Sequence, residues 1–197
     1  AADLAGFASR GGVVLVTAST STDLGRALGT VCATPLALLR GVLGEAAFGG
    51  CGCYDVAANQ DGGSTGGAGA AGELVGRLDV GAARAVWGAG ADALVAAAPE
   101  GYPLSIGPVG GVPMLCPPGG PSFNVVPLST RYDNNGGGAG GGGGVPAGVG
   151  LLKVWPLGGG WVVYVGASVT PADVVFAGRA LALDRQVWRQ LLATVFG

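Results

Sequence analysis

The stretch GLLKVWPLGGGWVVYVGASV, residues 150–169, decides the fold. Two apolar arms rich in β-branched and aromatic residues flank Gly158-Gly159-Gly160, which reads as two strands joined in an antiparallel hairpin. Upstream, SFNVVPLSTRY (122–132) reads as another strand. Between the two lies GGGAGGGGG (136–144), where every residue but Ala139 is glycine. Each glycine carries a large ordering entropy and brings no side chain to bury, so this tract is expected to be an exposed surface loop.

The pattern continues toward the N-terminus. GGVVLVTASTST (11–22) reads as a strand, and GGCGCYDVAANQ (49–60) as another, followed by the low-complexity loop DGGSTGGAGAAG. Segments 73–80 (ELVGRLDV) and 93–98 read as strands, the Ala-rich second one being equally compatible with a helix. Seven prolines between residues 99 and 121 predict extended connecting chain with short strand pieces, because proline cannot donate to a sheet ladder. Residues 173–183 (DVVFAGRALAL) supply one more strand. Two short helices complete the expectation. One begins at Thr34 as N-cap with Pro35 at the first helical position; the other, 184–196, is capped by Asp184 and presents Val187, Trp188, Leu191, Leu192, Val195 and Phe196 at helical spacing. Many short strands without a βαβ rhythm predict an all-β antiparallel sandwich or barrel, not a parallel α/β sheet, in a single domain spanning 1–197 that includes a short N-terminal segment at 1–10.

Composition narrows function more than any motif does. The chain of 197 residues is 49% apolar and only 11% charged, with net charge −2 from nine Arg, one Lys and twelve acidic residues. So few charges cannot cover a surface in the usual mixed pattern, which predicts burial against partners. The same balance argues against an electrostatic grip on nucleic acid or an anionic membrane. Apolar runs are all interrupted before the length of a membrane span. The N-terminal stretch AADLAGFASR does not read as a signal peptide, and the Ala start suggests release from a precursor. There is no histidine, which removes imidazole-based nucleophile activation and metal ligation. Cys32, Cys51, Cys53 and Cys116 lack paired zinc-knuckle spacing and read as buried free thiols. Asp55, Asp61, Glu73, Asp79, Asp92, Asp133 and Asp173 show no recurring carboxylate motif and read as solvated turn positions. Trp155, Trp161 and Trp188 read as core or interface anchors, since no basic residues interleave with them. No catalytic, cofactor or metal-binding residue is assigned.

Residues 11–30 resemble the first strand, turn and helix of a short-chain dehydrogenase, which implies NAD(P) binding and oxidoreductase activity as the alternative function. The expected turn glycines are missing until Gly25, and the family's Tyr four residues before a Lys is Val149 before Lys153. A match to G-x-G-x-x-A within VWGAGADALV (86–95) reads as a glycine-rich turn.

Three passages carry a broader resemblance, to the jelly-roll capsid proteins of picorna-like viruses (order Picornavirales). TPLALLRGVLGEAAF, with Leu39-Arg40-Gly41, is similar to the place where those proteins open a strand after a short helix. SFNVVPLSTRYDN, with Val126-Pro127-Leu128-Ser129 and Arg131-Tyr132-Asp133, is similar to the strand that leads to their Tyr-rich loop. The closing segment, with Asp173, Phe176, Gly178 and Arg179, resembles their last hairpin. The resemblance implies an eight-stranded jelly roll and a structural coat subunit without enzymatic activity or cofactor. It further implies assembly with copies of itself or sister capsid proteins into an icosahedral virion shell in the host cytoplasm. That shell would enclose RNA through weak or indirect contact, with a possible host receptor and no membrane partner.

Overall fold

A computed structural model describes residues 1–17, 28–54, 74–98, 103–105, 112–130, 145–166 and 181–197. Strands β1 (Val13–Thr17), β2 (Gly52–Cys53), β3 (Leu74–Arg77), β4 (Pro103–Ser105), β5 (Met114–Leu115), β6 (Phe123–Thr130), β7 (Val149–Leu157) and β8 (Gly160–Val165) alternate with helices. The helices are α1 (Ala2–Ser9), α2 (Leu28–Phe48), α3 (Val80–Trp87), α4 (Asp92–Ala97) and α5 (Leu181–Phe196), with a 3-10 turn at Gly88–Ala91 joining α3 to α4.

The hairpin expected at 150–165 is the centre of the sheet. β7 and β8 pair antiparallel from Leu152↔Val165 to Leu157↔Gly160. The sheet runs in the order β1-β8-β7-β6-β3-β4 and curls into a half-barrel. β5 pairs with β7 at Val149 and Gly150, just beyond the point where β8 leaves it, and carries β2 on its flank. β1 lies parallel to β8, with Val13 opposite Trp161 and Thr17 opposite Val165. Glycine is required at the hairpin base: a Cβ on Gly160 would collide with the backbone carbonyls of Gly12 and Ala8.

This arrangement overturns the all-β, eight-stranded jelly-roll sandwich. A jelly roll packs one sheet on another; here helices cover both faces of one curled sheet. Successive residues of β8 serve opposite layers. Val163 and Val165 join Leu152 and Val154 in a cluster with Ala83 and Val86 of α3, Leu94 of α4 and Leu191 and Val195 of α5. Val162 and Tyr164 join Trp155 in a second cluster with Ala8 of α1, Leu39, Val42, Leu43 and Phe48 of α2, and Val14 and Val16 of β1. Near-continuous apolar runs are the mark of strands buried on two faces, and helices supply that second cover.

Several local expectations change with the architecture. The short helix begun at Thr34 is part of α2, which starts at Leu28 and holds Pro35 inside it, with Gly44 at φ 74° breaking the helical path near its end. Leu39-Arg40-Gly41 therefore lies within a helix and opens no strand, and Leu39 is buried in the second cluster. Residues 80–87 and 92–97 are helical. Asp79 caps α3 by accepting from the Ala82 amide at 2.8 Å, and Gly88, at φ 57°, ends it. The VWGAGADALV segment is thus a tight helix–turn–helix joint. The short N-terminal segment at 1–10 contains α1. The C-terminal helix stands but begins at Leu181, so residues 181–183 are not strand. The remainder of the strand expected at 173–183, the glycine tract at 136–144 and the turn at 18–27 lie outside the described residues.

Candidate functional site

A row of side chains crosses the sheet on the face that carries the second cluster. Asn124 of β6 stands opposite Lys153 of β7, Lys153 opposite Tyr164 of β8, and Tyr164 opposite Val16 of β1. Cross-strand partners share a face, so a polar strip runs through an apolar layer. Lys153 is only 1% exposed and is the chain's sole lysine.

Each polar head in the row is turned onto backbone. The Lys153 Nζ donates to the Gly148 carbonyl at 2.5 Å, and Asn124 Nδ2 donates to the Val149 carbonyl at 3.1 Å. Tyr164 Oη donates to the Val112 carbonyl at 2.6 Å. Burial pushes the Lys153 ammonium down to about 8 and raises the Tyr164 phenol above its ordinary value, because both charged forms lose their hydration. Among the described residues no carboxylate pairs with Lys153. Trp155 lies two residues along on the same face, fully buried and stacked on Phe48 with ring centroids 6.4 Å apart. Its Nε1 and the Asn124 Oδ1 have no hydrogen-bond partner among the described residues.

The Gly148 carbonyl has a second donor, the amide of Cys116 at 3.1 Å. Gly148 itself adopts φ 92°, and a Cβ there would collide with the Cys116 carbonyl, so chain entry into β7 depends on glycine at this point. Cys116 is disulfide-bonded to Cys51, with Cα atoms 4.2 Å apart, and Cys53 is disulfide-bonded as well. The expectation of buried free thiols is thereby corrected: among the described residues there are no free cysteines. The cross-link joins the segment following α2 to the residue just after β5, and Cys51 and Cys116 are both buried in the second cluster. Irregular spacing concealed this pairing. Cys51 and Cys116 are 65 residues apart, and only the sheet brings them together.

The chemistry of this row is that of a clamp. Lys153, Asn124 and Tyr164 fix the carbonyls at 148, 149 and 112, where β5 and β7 come together, while the disulfide closes the same corner covalently. Of the acidic residues expected at solvated turn positions, Asp79 is a helix cap, and Asp92 forms an exposed ion pair with Arg84 at 3.1 Å. Asp55, Asp61, Glu73, Asp133 and Asp173 lie outside the described residues, as do Phe176, Gly178 and Arg179. Trp161 is half-buried against the first cluster; the Trp188 side chain is outside the described set. No group of three or more metal-ligating side chains is found among the described residues, and no described helix is long and apolar enough to cross a membrane.

The lysine gives a directional pH effect. Below about pH 8 the amine is protonated in both folded and unfolded chain. Between about 8 and the ordinary lysine value the folded protein has lost a proton that the unfolded chain keeps, so stability rises with pH. Above about pH 10 the raised Tyr164 acts in the opposite sense, since the unfolded phenol ionises first. Urea denaturation at intervals from about pH 7 to about pH 10 is expected to show a gain of about 2 kcal/mol. Lys153→Met should flatten that rise and stabilise the protein by about 1–2 kcal/mol at pH 7, the lost hydrogen bond offsetting part of the relief from burying a charge.

Comparison with protein-family models, with curated proteins and with solved structures finds no match to this chain.

Proposed function

We propose that this protein is a disulfide-stabilised, non-catalytic module of an oxidising compartment, with a structural or adhesive role. The observation that carries the reading is the buried Cys51–Cys116 cross-link. Disulfides persist where thiols are not kept reduced, as in secreted and lumenal proteins, and are rare in the cytosol. The chain's lack of histidine and the use of its one buried lysine as a backbone clamp support a role other than acid–base catalysis. The glycine-rich composition supports long connections on a cross-linked frame.

Thiol titration of the denatured, unreduced protein from its native source tests the reading. No reactive thiol is expected, and a peptide joining Cys51 to Cys116 should appear on proteolysis without reductant. Four titratable thiols would sink the proposal.

A coat subunit of a larger particle is the second reading, supported by the 49% apolar and 11% charged composition. Its jelly-roll form is withdrawn with the fold, and a cross-link of this kind counts against maturation in a cytosol. Particle sizing from the native source separates the two readings. The nucleotide-binding alternative depends on a turn at 18–27 outside the described residues. Its strand β1 lies at the end of the sheet order, and β1–β8 is the one parallel pair among the described strands. A doubly wound dinucleotide fold instead places its first strand centrally in a parallel sheet.

A further inference from the structure

Helix α1 packs Ala8 into the second cluster and turns a different face to solvent. On that face Leu4 is 38% and Phe7 49% exposed, and Asp3 and Arg10 are exposed at its two ends. Positions three, four and seven apart share a side of a helix, so Asp3, Phe7 and Arg10 fall in line with Leu4 beside them. Arg10 lies back along the helix, since a Cβ on Gly6 would come 3.3 Å from its Nη1. Neither charge has an ion-pair partner among the described residues; the ion pairs found there are Arg40–Glu45 and Arg84–Asp92. The patch therefore reads acid, apolar, base along one short helix.

We propose that this face docks a second copy of the chain, α1 against α1, antiparallel about a two-fold axis near Gly6 and Phe7. A two-fold contact sets each patch against itself with its direction reversed. Asp3 of each copy then meets Arg10 of the other, and the Phe7 rings close together between the two ion pairs. Charge complementarity selects this occupant: a patch with acid at one end and base at the other fits its own reversed copy without further design. The helix is two turns long, so the contact falls short of the area a permanent dimer buries. It is a weak, salt-sensitive association.

Sedimentation equilibrium of the full chain, from about 10 μM to about 1 mM, tests the proposal. A monomer–dimer equilibrium is expected, with the dimer fraction falling as salt is added. Phe7→Asp should abolish the dimer. Asp3→Arg and Arg10→Asp should each weaken it roughly tenfold by setting like charges together twice. Mixed in equal amounts, these two variants should associate more tightly than either alone, because a copy with two arginines then faces a copy with two aspartates. Circular dichroism checks that each variant is folded, and the mixing arm does not depend on Phe7→Asp folding. The proposal is overturned if the chain stays monomeric throughout, if all variants associate equally, or if mixing gives no gain. Association that is confined to added vesicles or to another protein also overturns it.

Discussion

Replacing Trp155 with alanine should cost about 3–5 kcal/mol, the cost of emptying a large buried aromatic site. Trp155 is fully buried in the middle of β7, opposite Val162 and stacked on Phe48 of α2. Its ring therefore joins the central hairpin to the helix that covers it, and truncation opens a cavity between two layers. Trp155→Phe should be much milder, about 1–2 kcal/mol, because among the described residues the indole nitrogen makes no hydrogen bond that phenylalanine would forfeit. Urea denaturation of the three proteins at one pH measures both differences. If Trp155→Phe is as damaging as Trp155→Ala, the indole N–H has a partner and the packing account is incomplete.

Removing the cross-link with the double substitution Cys51→Ala and Cys116→Ala should destabilise the chain by about 4 kcal/mol, given the loop that the bond closes. The sequence separation is 65 residues, so the unfolded chain regains much of the freedom that the bond had removed. Against a total stability of about 5–15 kcal/mol this is a large share. The melting temperature of the unreduced wild type, compared with that of the double variant, reads the effect. Because both cysteines are buried, a mild reductant should lower the wild-type melting temperature only after denaturant has opened the core. Rapid reduction of the native protein would show that the corner around Cys51 and Cys116 opens on its own.

The elements legible in the sequence are those whose signal is local. The hairpin at 150–165 announces itself through two apolar arms and a glycine connection, and the C-terminal helix through the spacing of Leu191 and Val195. β6 was legible too, although Pro127 sits within it; the register with β7 shifts there, which accommodates a residue that cannot donate. The least legible segments are those where small residues dominate. In VGAARAVW and DALVAA the side chains are too alike to reveal a helical period, and an apolar run of that length fits strand or helix. The decisive marks were the caps, Asp79 before α3 and Gly88 after it, which outrank propensity in a segment so poor in pattern. The segment 93–98 fits strand or helix from its residues alone, and once it and 80–87 are helices the sheet has helical cover in place of a second sheet.

The clamp around Lys153 was hidden for a different reason. A single lysine in an apolar strand reads as an edge residue or an accident, and nothing nearby in sequence marks the Gly148 carbonyl as its acceptor. The cysteines behaved likewise: their partners are chosen by the register of β2, β5 and β7. Long-range pairing of this kind leaves no periodic trace.

The parallel pairing of β1 with β8 also determines when the chain can fold. Val13 finds its neighbour only at Trp161, so all the chain between them must be made before β1 can take its place beside β8. Until then α1, β1 and α2 wait with their apolar faces uncovered, and contacts of such separation close slowly. The local β7–β8 hairpin is expected to form before the long-range pairing of β1 with β8. Exposed apolar surface beside an unpaired strand makes this interval prone to aggregation.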